Sequence, residues 1–546
     1  MTRTYLHVPP FSKDFYRNTQ YWSNFYLMRS IQEQIDYILV DRELTINLEE
    51  EDNEVVANNP TIDLCYSLAG DYYDNNYNIG QLTATGEGTL SAGQLTVTAR
   101  LANRGAEYSE SGSENQYCPT LINYADKMRA DNVTHNITFN NDDYYDNSGI
   151  WHFISLPYDV KVSDIIPSDN THWVIRRYDS AARAAGELSE TWVNLTNDDT
   201  LEAGKGYIVS AVGGTQDENG YTYPALSFTS GNSLTKNNIF RSTDVIVPLS
   251  EYPAEFAHNR SWNFIGNPYP CYFDMHCLNE EFTAPVTVWN GSAYVAYSPV
   301  DDDLVLSPYE AFFVQCPLDA NEVTFKETGR MHSNEGRPAY KTSPKNNASI
   351  AAEDRNVFNF ILSGEKYEDR VRIVLNPEAT AEYEIGRDAS KFFAANNDNA
   401  QLYVNSGVNY SIDERPVSDG KAELGLRSAK EKAYTLSLGG RYSDEWSVML
   451  TDNVTGVTLD LTKEDYQFIS STGENTARFS INFDLNGNGQ SGVDAIFADF
   501  GKDAVVSVTA INGTVVYTGT LADVTVPSAG LYIISNGSES RKAILK

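Results

Sequence analysis

Short runs of alternating apolar and polar residues recur along most of this chain. They include Leu44-Thr45-Ile46-Asn47-Leu48, Gln94–Ala99, Val357–Leu362, Val371–Leu375, Tyr434–Leu438 and Val448–Thr451. A period of two puts every second side chain on one face, which is the pattern of a half-buried strand. Gly, Asn, Asp and Pro clusters separate the runs at the roughly 8–12-residue spacing of antiparallel sandwiches. One segment breaks the rule. Tyr21, Trp22, Phe25, Met28, Ile31, Ile35 and Ile38 follow one another at helical spacing and predict one short N-terminal helix from Asn18. The expected fold class is therefore mainly β: tandem antiparallel β-sandwiches, Ig-like or jelly-roll-like, plus that helix.

The middle of the chain repeats itself. Trp151-His-Phe-Ile-Ser-Leu-Pro157-Tyr158 matches Trp262-Asn-Phe-Ile-Gly-Asn-Pro268-Tyr269, 111 residues on. Leu201-Glu-Ala-Gly-Lys-Gly-Tyr207-Ile-Val matches Leu306-Ser-Pro-Tyr-Glu-Ala-Phe312-Phe-Val, 105 residues on. Each copy opens on a Trp-led strand that proline closes, because proline cannot donate to a ladder. Tryptophan occurs only 7 times, so two in register argue for duplication. The predicted organisation is an N-terminal helix plus incomplete β region (1–147), a duplicated β-sandwich (148–330) and a polar linker (331–354). An Ig-like sandwich (355–483), a second linker (484–499) and a C-terminal β module (500–546) complete it.

Composition narrows the function. The chain has 546 residues, 41% of them hydrophobic, enough for several packed cores. Its net charge of −35 argues against nucleic acid and against anionic lipid as partners. No run reaches the ~20 apolar residues of a membrane span. The opening residues lack the apolar stretch of a secretory signal, so an exported protein is expected to be N-terminally incomplete here. Five cysteines (Cys65, Cys118, Cys271, Cys277, Cys316) form no disulfide framework and read as buried thiols, although Cys271 and Cys277 are close enough in sequence to pair.

Candidate chemistry is sparse. The histidines (His7, His135, His152, His172, His258, His276, His332) never fall at metal-ligand spacing. Asp484-Leu-Asn486-Gly-Asn488-Gly489 has the opening of a Ca²⁺ loop, but Ala495 stands where the bidentate carboxylate belongs. Asp301-Asp302-Asp303 offers the carboxylates a glycoside hydrolase needs, yet reads better as a solvated turn. No nucleophile elbow, phosphate loop or dinucleotide fingerprint occurs. No catalytic, metal or cofactor-binding residue is expected, and no cofactor. Tyr72, Tyr73, Tyr77, Tyr144, Tyr145, Tyr294 and Tyr297 lie in polar stretches and are the available contact surface.

The last residues carry the clearest pattern. Val506, Val508 and Ile511 precede Asn512-Gly513, and Val515, Val516 and Tyr517 follow, which predicts a two-residue hairpin turn. Gly530-Leu531-Tyr532 then begins another strand, and Lys542 and Lys546 mark a basic end. This VxVxxINGTVVY…SAGLYII…RKAILK tail resembles the C-terminal sorting domain of type IX (Por) secretion substrates. It departs from that pattern at Thr514, where a basic residue is usual, and at Ala510-Ile511 in place of an aromatic-Asp pair. Upstream, WHFISLPYDVKVSDI, WNFIGNPYPCYFDM and LSPYEAFFVQCP resemble large secreted or surface β-proteins of Gram-negative gut and oral anaerobes. Many of those carry leucine-rich or β-helical repeats, and no such array is visible here.

The resemblance implies a non-enzymatic protein that is extracellular or on the outer cell surface: an adhesin or a glycan- or protein-binding component. Its tail, through Asn512, Gly513, Gly530, Tyr532, Lys542 and Lys546, would engage secretion machinery. The alternative is a fragment of a secreted hydrolase.

Overall fold

A computed structural model describes residues 151–216, 222–230, 241–279, 282–290, 293–318, 321–332, 355–365, 367–394, 398–417, 420–485, 500–501, 503–510, 513–527 and 530–545. N-terminal to these it describes 4–5, 35–40, 43–48, 61–65, 81–86, 89–101, 118–124 and 127–139. The architecture is mainly β, in several antiparallel sheets and one near-closed sheet. No helix among the described residues is long and apolar enough to cross a membrane.

Ile35 and Ile38, counted above in a helix, lie in the strand Ile35–Val40, which pairs antiparallel with Glu43–Leu48. The β-branched and aromatic run IDYILV favours the strand over the helical spacing. Residues 18–34 lie outside the described residues.

The next strands form an array that the sequence reading missed. Glu43–Leu48, Gln81–Gly86 and Thr120–Asn123 stack in parallel as one ladder. Thr61–Cys65, Thr89–Leu101 and Lys127–Phe139 stack in parallel as a second. The chain visits the two ladders alternately, which is three coils of a two-sheet parallel solenoid. Its interior includes Leu82, Leu95, Val97, Leu121, Val133 and Ile137, all buried. The last coil is covered by the first repeat copy, because Ala225–Thr229 pairs antiparallel with Lys127–Phe139.

The duplication is visible strand by strand. The first copy's sheet runs Trp192–Asn194, Thr171–Tyr178, Tyr207–Gly213, His152–Ile154; the second runs Tyr294–Tyr297, Val286–Trp289, Ala311–Gln315, Trp262–Gly266. The order is the same in both. Each copy also pairs its last strand with one preceding its tryptophan, Ala225–Thr229 with Lys127–Phe139 and Glu322–Phe325 with Val245–Pro248.

The copies meet about a pseudo-twofold axis. Ser155 N donates to Tyr309 O (2.8 Å), and its equivalent Gly266 N donates to Gly204 O (3.0 Å). Tyr309 and Gly204 are themselves equivalent and share left-handed backbone, φ 64° and 73°. Glycine takes that conformation freely; tyrosine does so only because its buried surroundings hold it. Phe153 and its equivalent Phe264 touch edge to face across the axis, centroids 4.7 Å apart. A duplicated isologous contact forces equivalent residues together. Ser155 and Gly266 are such a pair, and a Cβ at 266 would fall 2.2 Å from Ser155 Cβ. Gly266→Ala should therefore destabilise the duplicated unit by about 1–3 kcal/mol. Adding Ser155→Gly should restore part of the loss in a denaturant titration, whereas an unrelated clash would leave it unrelieved.

Residues 356–484 form one continuous sheet of eleven strands rather than two stacked sheets. Phe358, Phe360, Ile373, Leu402, Leu424, Leu436, Leu450 and Phe479 fill it. Tyr367–Leu375 and Asn409–Arg415 pair in parallel within it. Its two end strands, Thr458–Asp460 and Tyr466–Ile469, approach one another, so the sheet rolls into a near-closed barrel. Tyr466 OH (2.7 Å) and Arg478 Nη2 (2.8 Å) both donate to buried Asp452. Alternation alone does not separate a rolled sheet from a sandwich, since both bury every second residue.

Met331 and His332, placed above in a linker, are ordered parts of the fold: Met331 pairs with Tyr272, and His332 reaches the solenoid. His332 bonds Thr83 and Thr120 through its two ring nitrogens, 2.7 Å each. Arg330 Nη1 donates to Asn123 O (2.7 Å). Residues 333–354 lie outside the described residues.

Candidate functional site

The C-terminal module is a four-stranded antiparallel sheet. In spatial order its strands are Val515–Thr520, Val505–Ala510, Gly530–Ser535 and Ser540–Leu545. Alternation buries Val506, Val508, Tyr532 and Ile534 on one face. Leu521 and the partly buried Phe500, Val524 and Val526 cover that face. The cluster is separate from the larger cores. Val505 and Val515 stay exposed on the hairpin.

The six tail residues named above are placed as follows. Gly513 has φ 84°, and its N–H donates to Ala510 O (2.8 Å). The ladder resumes with Ala510 N to Thr514 O (2.8 Å), so three residues connect the strands and not two. A register shift at Val508/Thr509 accompanies the turn. Left-handed glycine closing a three-residue loop is the alternative to the two-residue turn for an Asn-Gly pair. Gly530 starts its strand opposite Leu545, and Lys542 pairs through its backbone with Ile533. Tyr532 is buried and lies between Ala510 and Ala543. Asn512 and Lys546 lie outside the described residues.

The aspartate run is no solvated turn. Asp303 is exposed, but the Asp301 and Asp302 side chains are only 2% and 8% accessible. They sit between the second copy and the barrel. Arg370 Nη1 (3.1 Å) and Arg372 Nη2 (2.6 Å) converge on Asp302 Oδ1, and Ser298 N donates to Oδ2 (2.8 Å). Arg355 donates to Asp301, and Arg441 adds a contact at 3.3 Å. Arg372 is held further by Asn359 Oδ1 (2.7 Å), and the Arg370 guanidinium lies 4.3 Å over Tyr297. Burial pushes the Asp302 carboxyl up, but Arg370 and Arg372 outweigh it and bring it down to about 2. A carboxylate held ionised by two guanidiniums is a buried counter-ion, not a proton donor. The arginines stand about seventy residues from the aspartates, so no sequence spacing links them.

The other candidates are structural. Cys118, Cys271 and Cys316 are buried cysteines, and Cys277 is a half-buried one that forms no disulfide with Cys271. Among the described residues no histidine, cysteine and carboxylate group could hold a metal. Asp484, the first position of the suggested Ca²⁺ loop, is a buried strand residue opposite Ser447; Asn486, Asn488, Gly489 and Ala495 lie outside the described residues. So do Tyr72, Tyr73, Tyr77, Tyr144 and Tyr145. Tyr294 and Tyr297 are strand residues, Tyr297 fully buried and Tyr294 half-buried among aromatics.

Those aromatics form a cluster on the pseudo-twofold axis. Tyr178 pairs with Trp192 and Trp289 with Tyr294, in equivalent hairpin positions. Both pairs pack with Phe153, Phe264 and Phe313, and Phe392 from the barrel closes one side.

A family model, Domain of unknown function (DUF8693), matches residues 283–483. The match begins inside the second copy, takes in Asp301 and Asp302, and runs to the end of the barrel. It thus encloses both sides of the ionic contact. No curated protein matches the chain.

Proposed function

We propose that this chain is a non-enzymatic, exported surface protein whose last 47 residues, 500–546, act as a sorting or anchoring module. The observation that carries the reading is the module's own small core, with no member shared with the larger clusters. An element recognised by secretion machinery has to fold, and be handled, apart from its cargo. The tail resemblance supplies the direction of the reading, and the duplicated unit with its barrel is the cargo. In finer terms we read the two copies as tandem β-sandwiches of Ig-like or jelly-roll-like descent.

Deleting residues 500–546 should leave the unfolding midpoint and circular dichroism of the rest unchanged, while the protein stays inside the producing cell. The same residues fused to a reporter should carry it to the surface. A truncated protein that unfolds, or one that is still exported, overturns the assignment.

A further inference from the structure

The two copies present equivalent sheet faces, and among the described residues only the second copy's face is covered by the barrel. On the second copy Thr287, Ala296 and Gln315 are buried under the barrel. Ala296 packs with Ala389 and Ile412, and Tyr383 OH donates to Gln315 Oε1 (2.8 Å). Trp262 is sealed by Phe392, centroids 4.8 Å apart, and by the Arg183 guanidinium at 5.3 Å.

Arg183 comes from the first copy. It rides on the short helix Ser180–Ala184, which Asp179 caps by accepting from the N–H groups of Ala181 and Ala182. This belongs to the long connection between Tyr178 and Trp192, which reaches across the axis. The second copy's equivalent connection, from Trp289 to Tyr294, closes at once with Asn290 N donating to Ala293 O (3.1 Å). It does not reach back. Among the described residues neither the barrel nor a hairpin covers the first copy's face in the same way.

That face keeps its tryptophan. Trp151, Arg176 and Ser210 stand where Trp262, Thr287 and Gln315 stand in the second copy. Arg176 lies opposite Ile208 just as Thr287 lies opposite Phe313. The three are half-buried where their counterparts are sealed, and Asn194 beside them is exposed. The Arg176 guanidinium lies 4.7 Å over the Trp151 ring, and its Nε donates to Asn194 Oδ1 (2.7 Å). These contacts fix the guanidinium plane. They leave its two terminal nitrogens and the Asn194 amide nitrogen with no hydrogen bond among the described residues.

We propose that this face binds a carboxylate-bearing sugar of an acidic glycan. The proposal rests on the reading of the chain as a surface binding protein and names its ligand class. A guanidinium fork with free terminal donors matches a carboxylate bidentately. The part of the indole π-face that the guanidinium leaves open is negative and suits the weakly positive C–H bonds of a pyranose ring. The Asn194 amide offers a donor to a ring hydroxyl. A preformed, rigid strand surface carries all three, which lowers the cost of ordering on binding. The net charge of −35 does not forbid an anionic ligand, because repulsion from distant carboxylates is screened beyond about 8 Å at physiological salt.

The test is calorimetric titration of the full chain with a galacturonic-acid oligomer, a sialic-acid oligomer and a neutral galactose oligomer of equal length. At least one acidic oligomer should bind, with the neutral one at least about tenfold weaker. Arg176→Gln and Asn194→Ala, both at the surface, should weaken it without moving the unfolding midpoint, Arg176→Gln by about tenfold or more. Trp151→Ala should do the same if the fold survives. Equal binding of acidic and neutral oligomers, no binding of either acidic oligomer, or binding indifferent to Arg176→Gln overturns the proposal. Surface delivery is measured independently by the tail deletion, so a failed titration with intact export removes the ligand and leaves the sorting module standing.

Discussion

Replacing Asp302 by alanine should cost about 3–5 kcal/mol, the largest single effect expected in this chain. The side chain touches Arg370 and Arg372, which are 9% and 1% accessible. Without Asp302, Arg372 keeps Asn359 and a 3.5 Å approach to Asp301, and Arg370 keeps the carbonyl of Ala296. Asp301 is already shared with Arg355 and Arg441, and a carbonyl carries no full charge, so the lost counter-charge is only partly replaced. Ser298 N–H also loses its acceptor. Urea titration followed by Trp446, buried in the barrel, measures the change. Removing Arg372 together with Asp302, as Asp302→Ala with Arg372→Met, should recover part of the loss, because the orphaned charge goes with its partner. A single alanine variant as stable as the parent would show that the contact between copy and barrel is held by apolar packing alone.

The second large effect is with pH, and it falls on the N-terminal half. Burial pushes His135 and His152 down to about 3 and His332 down to about 4. Tyr158 OH donates to Phe228 O (2.9 Å), so His135 donates from Nδ1 to the Tyr158 oxygen (2.6 Å). The ring is therefore neutral, with its proton on Nδ1. His152 packs against Phe139 with no hydrogen bond to Nε2. All three folded-state values lie below the unfolded value of about 6.5. Their contribution is thus complete above pH ~6.5 and is lost as pH falls through the folded values, each histidine contributing a slope of about 1.4 kcal/mol per pH unit. Asp302 acts lower, between its unfolded value near 4 and about 2. Acid should loosen the solenoid and first copy well before the barrel. Hydrogen exchange at pH 7 and pH 5 would show protection falling first in 127–139 and 152–160. Loss beginning in the barrel would contradict this order.

What the sequence showed and what it hid have physical causes. The duplication was legible because a tryptophan, a strand and a Pro-Tyr stop lie within eight consecutive residues of each copy. The tail strands were legible for the same reason, since hairpins are local. The solenoid was not. Its neighbours in space, such as Thr89–Leu101 and Lys127–Phe139, pair in parallel. Parallel strands need a long crossover and leave no turn signature. The barrel's strands were legible, but their closure through Asp452, Tyr466 and Arg478 depends on side chains that alternation does not report. The aspartate run misled because exposure was inferred from polarity, while Arg370 and Arg372 lie a whole strand pattern away. At the tail, Asn-Gly was compatible with two loop lengths, and the register shift at Val508 selects the longer.

The acidic pair on one unit and the guanidinium pair on the next have a bearing on how such proteins are assembled by recombination. A rolled sheet transplanted without the preceding copy would arrive with two cationic side chains facing a surface they were never built to meet. Selection should then keep the cut point upstream of the aspartates, so that the heritable cassette straddles what looks, by strand order, like a natural seam.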